Sequence, residues 1–384
     1  YLKSRGLGDV YKRQVSPHGF GHAVQVAPVI NALVQRLPAL RVTVQSTVAA
    51  WFLRQRIGTD FQLVERSTDF GLMMNSALDI DLESSARAYA NLHRSWEARV
   101  SEEASRLRAL APDLMLADVP YLSLAAAQAA AIPALALCSL NWADIYRYYF
   151  AHRRGARHVL QQMEAAYSAA GAFLCPEPCM PMGWLHNSVN IAPIAARGQN
   201  RRAALNELLG LDSDTALVLV APGGVQTRFA MERWPADQNI HWLVSENWRV
   251  AHPCATAFER TGMAFTDLVA SCDAVLGKCG YGTVTECVVN GTPLLYIPRP
   301  DWPEEPILLG WLNDHRAAVE VSPEKLASGN FGDSVAAGRV LHVKPCAADG
   351  AEQAAAVLQS HLQAVSSAPD SAVHTDDGIT GRTA

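Results

Sequence analysis

GKCGYGTVTECVVNGTPLLYIPRP, residues 277–300, carries the pattern that decides the fold. The preceding DAVLG is an apolar strand, GTVTECVVNG has the spacing of a helix, and TPLLYIP is a second strand. Gly277, Gly280 and Gly282 fall between strand and helix, with Tyr281 inside the turn. Glycines let backbone N–H groups approach a ligand closely, and a helix N-terminus adds partial positive charge. A diphosphate is the natural guest. Thr283 suits the helix start and can also donate to phosphate, and Lys278 either adds charge or is simply solvated. Glu286, three residues after Thr283, either closes a capping box or points into a cleft and takes ribose hydroxyls. The spacing is neither GxGxxG nor a P-loop, and glycine turns of this sort are common in α/β proteins.

Outward from this turn, strand and helix patterns alternate along the chain. RVTVQST (41–47), FQLVE, PDLMLAD (112–118) and IPALALCS read as strands, and 83–110 reads as one long helical stretch. HAVQVAPVINALVQR (22–36) is helical, with Pro28 predicting a late start or a kink. Near-continuous apolar strands in a β-α-β rhythm predict parallel sheets covered on both faces. Residues 176–210 are rich in Pro, Gly and Asn and read as a linker. A second series follows, from TALVLVAPGG (215–224) through NIHWLVS and DAVLG to TPLLYIP. The expected α/β architecture is therefore two Rossmann-like doubly wound domains, 15–180 and 181–364. The late glycine turn then lies in the middle of its own sheet, at the strand ends where such sheets bind ligands. YLKSRGLGDVYKRQ (1–14) is polar, basic and similar to translated adapter sequence. It is set aside from the fold, which leaves the first strand truncated. Residues 365–384 read as a disordered tail.

The chain has 384 residues, 49% hydrophobic and 18% charged, with a formal net charge of −5. That suits two well-buried domains and argues against a nucleic-acid partner. No apolar run is long enough to span a membrane, and peripheral membrane contact stays open. The eight cysteines are scattered, several in apolar patterns (Cys138, Cys272, Cys287), which predicts reduced thiols and a cytoplasmic protein. Cys175 and Cys179 lack two further ligands at zinc spacing, so no metal site is expected.

VLGKCGYGTVTECVVNGTPLLYIPRP with WLNDHRAAVEVS resembles the C-terminal domain of GT-B glycosyltransferases, in particular the family 28 peptidoglycan N-acetylglucosaminyltransferase. HGFGHA, NWADIY, LGKCGYGTVTE and the EEP of 304–306 together resemble the glycosyltransferase-like N-terminal region of plant arabinokinases, over most of 15–330. No second phosphate loop follows residue 330, so kinase activity is not implied. The resemblance implies an acceptor-side N-terminal domain and a nucleotide-sugar-binding C-terminal domain. It places the donor diphosphate on Gly280–Thr283, the ribose on Glu286, and a further glycine loop on Gly223 and Gly224. It makes His18, Gly19 and Gly21 an acceptor-side loop, His22 the base that deprotonates the acceptor, and Asp118 the residue that orients it. Glu304 and Glu305 stand where relatives carry a sugar-recognising glutamine segment, which argues against an N-acetylglucosamine donor. Trp142 and Tyr146 line the acceptor side or belong to the core. Arg228 reaches phosphate or lies on the surface.

The implied activity is inverting, metal-independent transfer of a hexosyl-type group from a nucleotide sugar, UDP-type, to an unknown acceptor, with no other cofactor. Two alternatives stay open: a nucleotide-sugar-binding regulatory protein without turnover, and a nucleotide-sugar 2-epimerase.

Overall fold

The structure, a computed structural model, describes residues 9–15, 21–76, 78–223, 228–236 and 238–367. Seven parallel strands form the first sheet: β1 (Asp9–Val15), β2 (Leu40–Ser46), β3 (Phe61–Val64), β4 (Met115–Ala117), β5 (Ala134–Leu137), β6 (Phe173–Pro176) and β7 (Ser188–Ile191). Their spatial order is β3-β2-β1-β4-β5-β6-β7. Six parallel strands form the second: β8 (Ala216–Val220), β9 (Ile240–Val244), β10 (Ala255–Ala257), β11 (Ala274–Lys278), β12 (Leu294–Ile297) and β13 (Ala318–Glu320), in the order β10-β9-β8-β11-β12-β13. This is the doubly wound pair of domains that the alternation predicts. The central strands β4, β8 and β12 are buried along their whole length, because helices cover both sheet faces.

Four details correct the sequence reading. Residues 9–14, set aside as outside the fold, form most of β1, which pairs with β2 and β4 at the centre of the first sheet. A ladder is made by backbone groups, so polar side chains do not prevent it. The first domain also does not end at 180: β7 lies inside the presumed linker and closes the edge of the first sheet. The helix Gly350–Ser367 returns to that domain, where Ala354, Ala355, Leu358 and Leu362 pack in one core with Ile30, Leu33 and Val44. The Gly21–Arg36 helix covers its apolar stripe. Finally, 83–110 is two helices, Leu82–Arg94 and Trp96–Leu110, broken at Ser95, whereas Gly21–Arg36 runs unbroken through Pro28.

Candidate active site

Strand order reverses between β1 and β4 in the first sheet and between β8 and β11 in the second. Crevices at the carboxyl ends of strands form at such switch points. The first is occupied by His22, second residue of the Gly21–Arg36 helix, and Asp118, the residue after β4. His22 is 8% exposed and Asp118 0%. His22 Nδ1 lies 3.1 Å from Asp118 Oδ2. No well-aligned hydrogen bond reaches either Asp118 oxygen from the described residues, so the contact is one of charge at hydrogen-bonding distance rather than a straight bond. Burial opposes a charged imidazole, but the Asp118 carboxylate outweighs it, helped by Asp69 and Glu304, and the net effect raises the His22 pKa. Cys138, just after β5, brings its Sγ to 3.8 Å from the same Nδ1.

The second domain meets the first beside this pair. Gln25 Nε2 donates to Ser139 Oγ at 3.4 Å, Ser139 Oγ donates to Glu304 Oε1 at 2.7 Å, and Trp302 Nε1 donates to Glu304 Oε2 at 3.2 Å. A Cβ on Gly282 would lie 3.2 Å from Val24 Cγ1, so the N-termini of the Gly21–Arg36 and Tyr281–Asn290 helices face each other across the domain boundary.

Within the second switch point, a Cβ on Gly277 would strike Ala221 O at 2.4 Å, so only glycine lets β11 pass the end of β8. Gly223 has φ +103°, and its missing Cβ leaves room for Lys278 Cε. Lys278 therefore joins the loop after β8 to the turn after β11. Burial lowers its pKa to about 8, with Arg299 adding and Glu304 opposing. Gly280 is the N-cap of the Tyr281–Asn290 helix, which has no side-chain cap, and Thr283 is half-buried in its first turn. Uncapped N–H groups at a helix start are an anion site.

Several expected site residues serve the fold or are engaged elsewhere. Tyr281 is buried, accepting from Ile194 N at 2.9 Å and donating to Glu177 O at 3.1 Å, so its hydroxyl ties the interdomain segment rather than lining the cleft. Glu305 accepts from Arg299 N at 2.6 Å, which turns its carboxylate back on the loop, and burial raises its pKa. Glu286 does not close a capping box. It is 3% exposed, and Arg56 of the first domain lies with Nη1 3.3 Å from its Oε1. Burial raises the Glu286 pKa, and Arg56 partly opposes this. Trp142 and Tyr146 are core residues, the former donating from Nε1 to Asp69 Oδ2 at 2.7 Å. Arg228 pairs with Glu232 and donates to Trp248 O at 2.8 Å. His18, Gly19 and Gly224 lie outside the described residues, and Gly21 opens its helix with no atom of the described residues within 4 Å of where a Cβ would stand. Arg56, Cys138, Ser139 and Arg299 neighbour the expected residues but carry no local motif. Only their places at strand and helix ends hint at them.

A cavity of about 490 Å³ opens elsewhere, between helices, beside Trp96, Gln128 and His158. Its lining shares no residue with the His22–Asp118 pair or the glycine turns.

No protein-family model matches the chain. The chain is 25% identical over 356 residues to L-arabinokinase of Arabidopsis thaliana, covering 91% of this chain and 34% of that protein, so it spans about a third of the relative's length. Among solved structures it is similar to the kitacinnamycin glycotransferase (15% identity, TM-score 0.59, 93% of this chain and 95% of that one). It is also similar to the calicheamicin glycosyltransferase CalG4 (14%, TM-score 0.55, 92% and 94%) and to Arabidopsis thaliana UGT89C1 complexed with UDP-L-rhamnose (15%, TM-score 0.51, 93% and 94%). The chain has the GT-B fold of these glycosyltransferases, and its sequence is similar to the arabinokinase N-terminal region. Among the described residues, no helix is long and apolar enough to cross a membrane.

Proposed function

We propose that the chain transfers a hexosyl-type group from a nucleotide sugar, UDP-type, to an acceptor hydroxyl, with inversion and without a metal on the diphosphate. The observation that carries this reading is the His22–Asp118 pair, 3.1 Å apart and buried at one switch point, facing an uncapped helix start and a desolvated lysine at the other. Asp118 engages Nδ1, which leaves Nε2 as the nitrogen that takes the acceptor proton. The carboxylate stabilises the imidazolium that forms. The acceptor oxygen attacks the anomeric carbon as the bond to the diphosphate breaks. The Gly280–Thr283 N–H groups and Lys278 then hold the departing negative charge, the role a metal plays elsewhere. Glu304 is the one carboxylate of its pair that remains near the dyad, and Ser139 fixes it for sugar hydroxyls. Glu286 receives the ribose once Arg56 yields Oε1 to it. The UDP-L-rhamnose and UDP complexes of GT-B neighbours support a uridine donor.

Thermal-shift screening against UDP, GDP, dTDP, UMP and ATP tests the donor site first, since a ligand binding only the native state raises its stability. One nucleoside diphosphate is expected to shift the transition. Its sugar conjugates, tried with an acceptor panel, then release the free diphosphate. A new nucleotide sugar formed without acceptor would point instead to epimerisation. No shift with any nucleotide would remove the proposal.

A further inference from the structure

Three adjacent strands of the first sheet, β1, β4 and β5, lead toward residues beyond one carboxyl edge: His22, Asp118 and Cys138. All three are buried, and His22 Nδ1, an Asp118 oxygen and Cys138 Sγ lie within 4.8 Å of one another. Nδ1 is 3.1 Å from Asp118 Oδ2 and 3.8 Å from Cys138 Sγ. Tetrahedral zinc, with bonds of about 2.0–2.3 Å, sets nitrogen and oxygen about 3.3 Å apart and nitrogen and sulfur about 3.6 Å apart. The two distances that involve Nδ1 are therefore each within a few tenths of an ångström of what a zinc ion requires. Asp118 is moreover a fully buried carboxylate to which no described group donates a well-aligned hydrogen bond, which leaves acceptor capacity for a cation. Its charge is offset across the 3.1 Å contact with His22, and a cation there would add to that compensation.

We propose that His22, Asp118 and Cys138 bind one thiophilic divalent cation, of zinc type, through Nδ1, a carboxylate oxygen and Sγ. Imidazole with thiolate selects zinc over magnesium or calcium, which take oxygen ligands. Three protein ligands leave a fourth position for water. Burial, with Asp118 beside it, holds the Cys138 thiol neutral, and a coordinating cation reverses this by releasing the thiol proton to solvent. The cation occupies the nitrogen that Asp118 otherwise orients, so metal binding and base catalysis at His22 exclude each other. Zinc is thus a reversible inhibitor of the site rather than its cofactor. The binding itself does not rest on the transfer reading.

The test is titration of the metal-free chain with Co²⁺, without nucleotide or sugar. One equivalent is expected to give a thiolate-to-cobalt charge-transfer band that Zn²⁺ displaces. Cys138→Ala removes the band, with Cys138→Val as a better-packed replacement should the alanine variant not fold. Asp118→Asn weakens binding at least about tenfold, since losing even a residue that only supports a ligand acts on that scale. A Cys175→Ser/Cys179→Ser double variant keeps the band. The absence of any band in the parent chain, or its survival in both Cys138 variants, would overturn the proposal and leave the transferase reading untouched.

Discussion

Replacing Lys278 by Met should make the unliganded protein more stable and unable to hold a diphosphate. Lys278 lies between the two glycine loops, partly exposed, with its pKa lowered to about 8 from 10.5, first by burial and then by Arg299. A downward shift of a lysine means that its charged form is less comfortable in the folded state than in the unfolded one. The difference is about 2.5 pH units, and at 1.36 kcal/mol per unit it corresponds to roughly 3 kcal/mol. Residual exposure makes that figure an upper bound. The sign follows from proton linkage. Below pH 8 both states are protonated and the full penalty is present. Between about 8 and 10.5 the folded lysine loses its proton first, the unfolded state binds more protons, and stability recovers as pH rises. Methionine keeps the length and packing of the stem without the charge. Lys278→Met should therefore raise the melting temperature by several degrees at pH 7, with the advantage fading toward pH 10.

The same variant should lose the stabilisation that UDP gives the parent chain. In the parent, UDP affinity should fall as pH rises through about 8, because the ammonium that meets the diphosphate is titrating. Calorimetric melts with and without UDP at pH 7, 8.5 and 10 measure both effects. A Lys278→Met protein that is destabilised, or one that keeps the full UDP shift, would refute the argument that this lysine is held desolvated for an anion.

Other consequences can be checked in parallel. His22→Ala should cut turnover by about 10²–10⁴-fold while preserving the UDP-induced thermal shift, the range usual for a lost general base, and Asp118→Asn should fall in the same range by removing the orienting charge. Product release within about tenfold of the parent would exclude His22 as the base. Arg56→Ala leaves the Glu286 carboxylate buried without its cation, for a cost of up to about 3 kcal/mol at pH 7 in urea unfolding. That cost should shrink as the pH is lowered and Glu286 takes up a proton, since burial already raises its pKa. Gly277→Ala drives a methyl group into Ala221 O, and should cost about 1–3 kcal/mol and abolish the UDP shift by displacing the Lys278 loop.

Strands such as Ala216–Val220 and Leu294–Ile297 were legible because a parallel sheet buried on both faces demands continuous apolar runs, and few other structures do. What escaped was whatever depends on a partner far along the chain. β1 is polar and holds its place by backbone pairing; β7 is a four-residue edge strand with three exposed residues; the Gly350–Ser367 helix finds its cover in the other domain. Arg56 meets Glu286, and Ser139 meets Glu304, only because the two sheets present their carboxyl edges to each other. No local pattern encodes such a meeting.

The opening turn shows how finely this divides. In GKCGYGT buried and partly open residues alternate from the end of the strand to the start of the helix. Gly277, Cys279 and Tyr281 are buried, whereas Lys278 and Gly280 between them are partly open. The first set fastens the turn: Gly277 passes the Ala221 carbonyl, Cys279 fills the core, and Tyr281 reaches across to Ile194 and Glu177. The second set, with Thr283 one helical step later, is what remains for a ligand. Reading the motif as one phosphate cradle places Tyr281 in the cleft, whereas its hydroxyl is taken by Ile194 N and Glu177 O. A turn that must bind an anion must also be held still, and here alternate residues divide the two tasks.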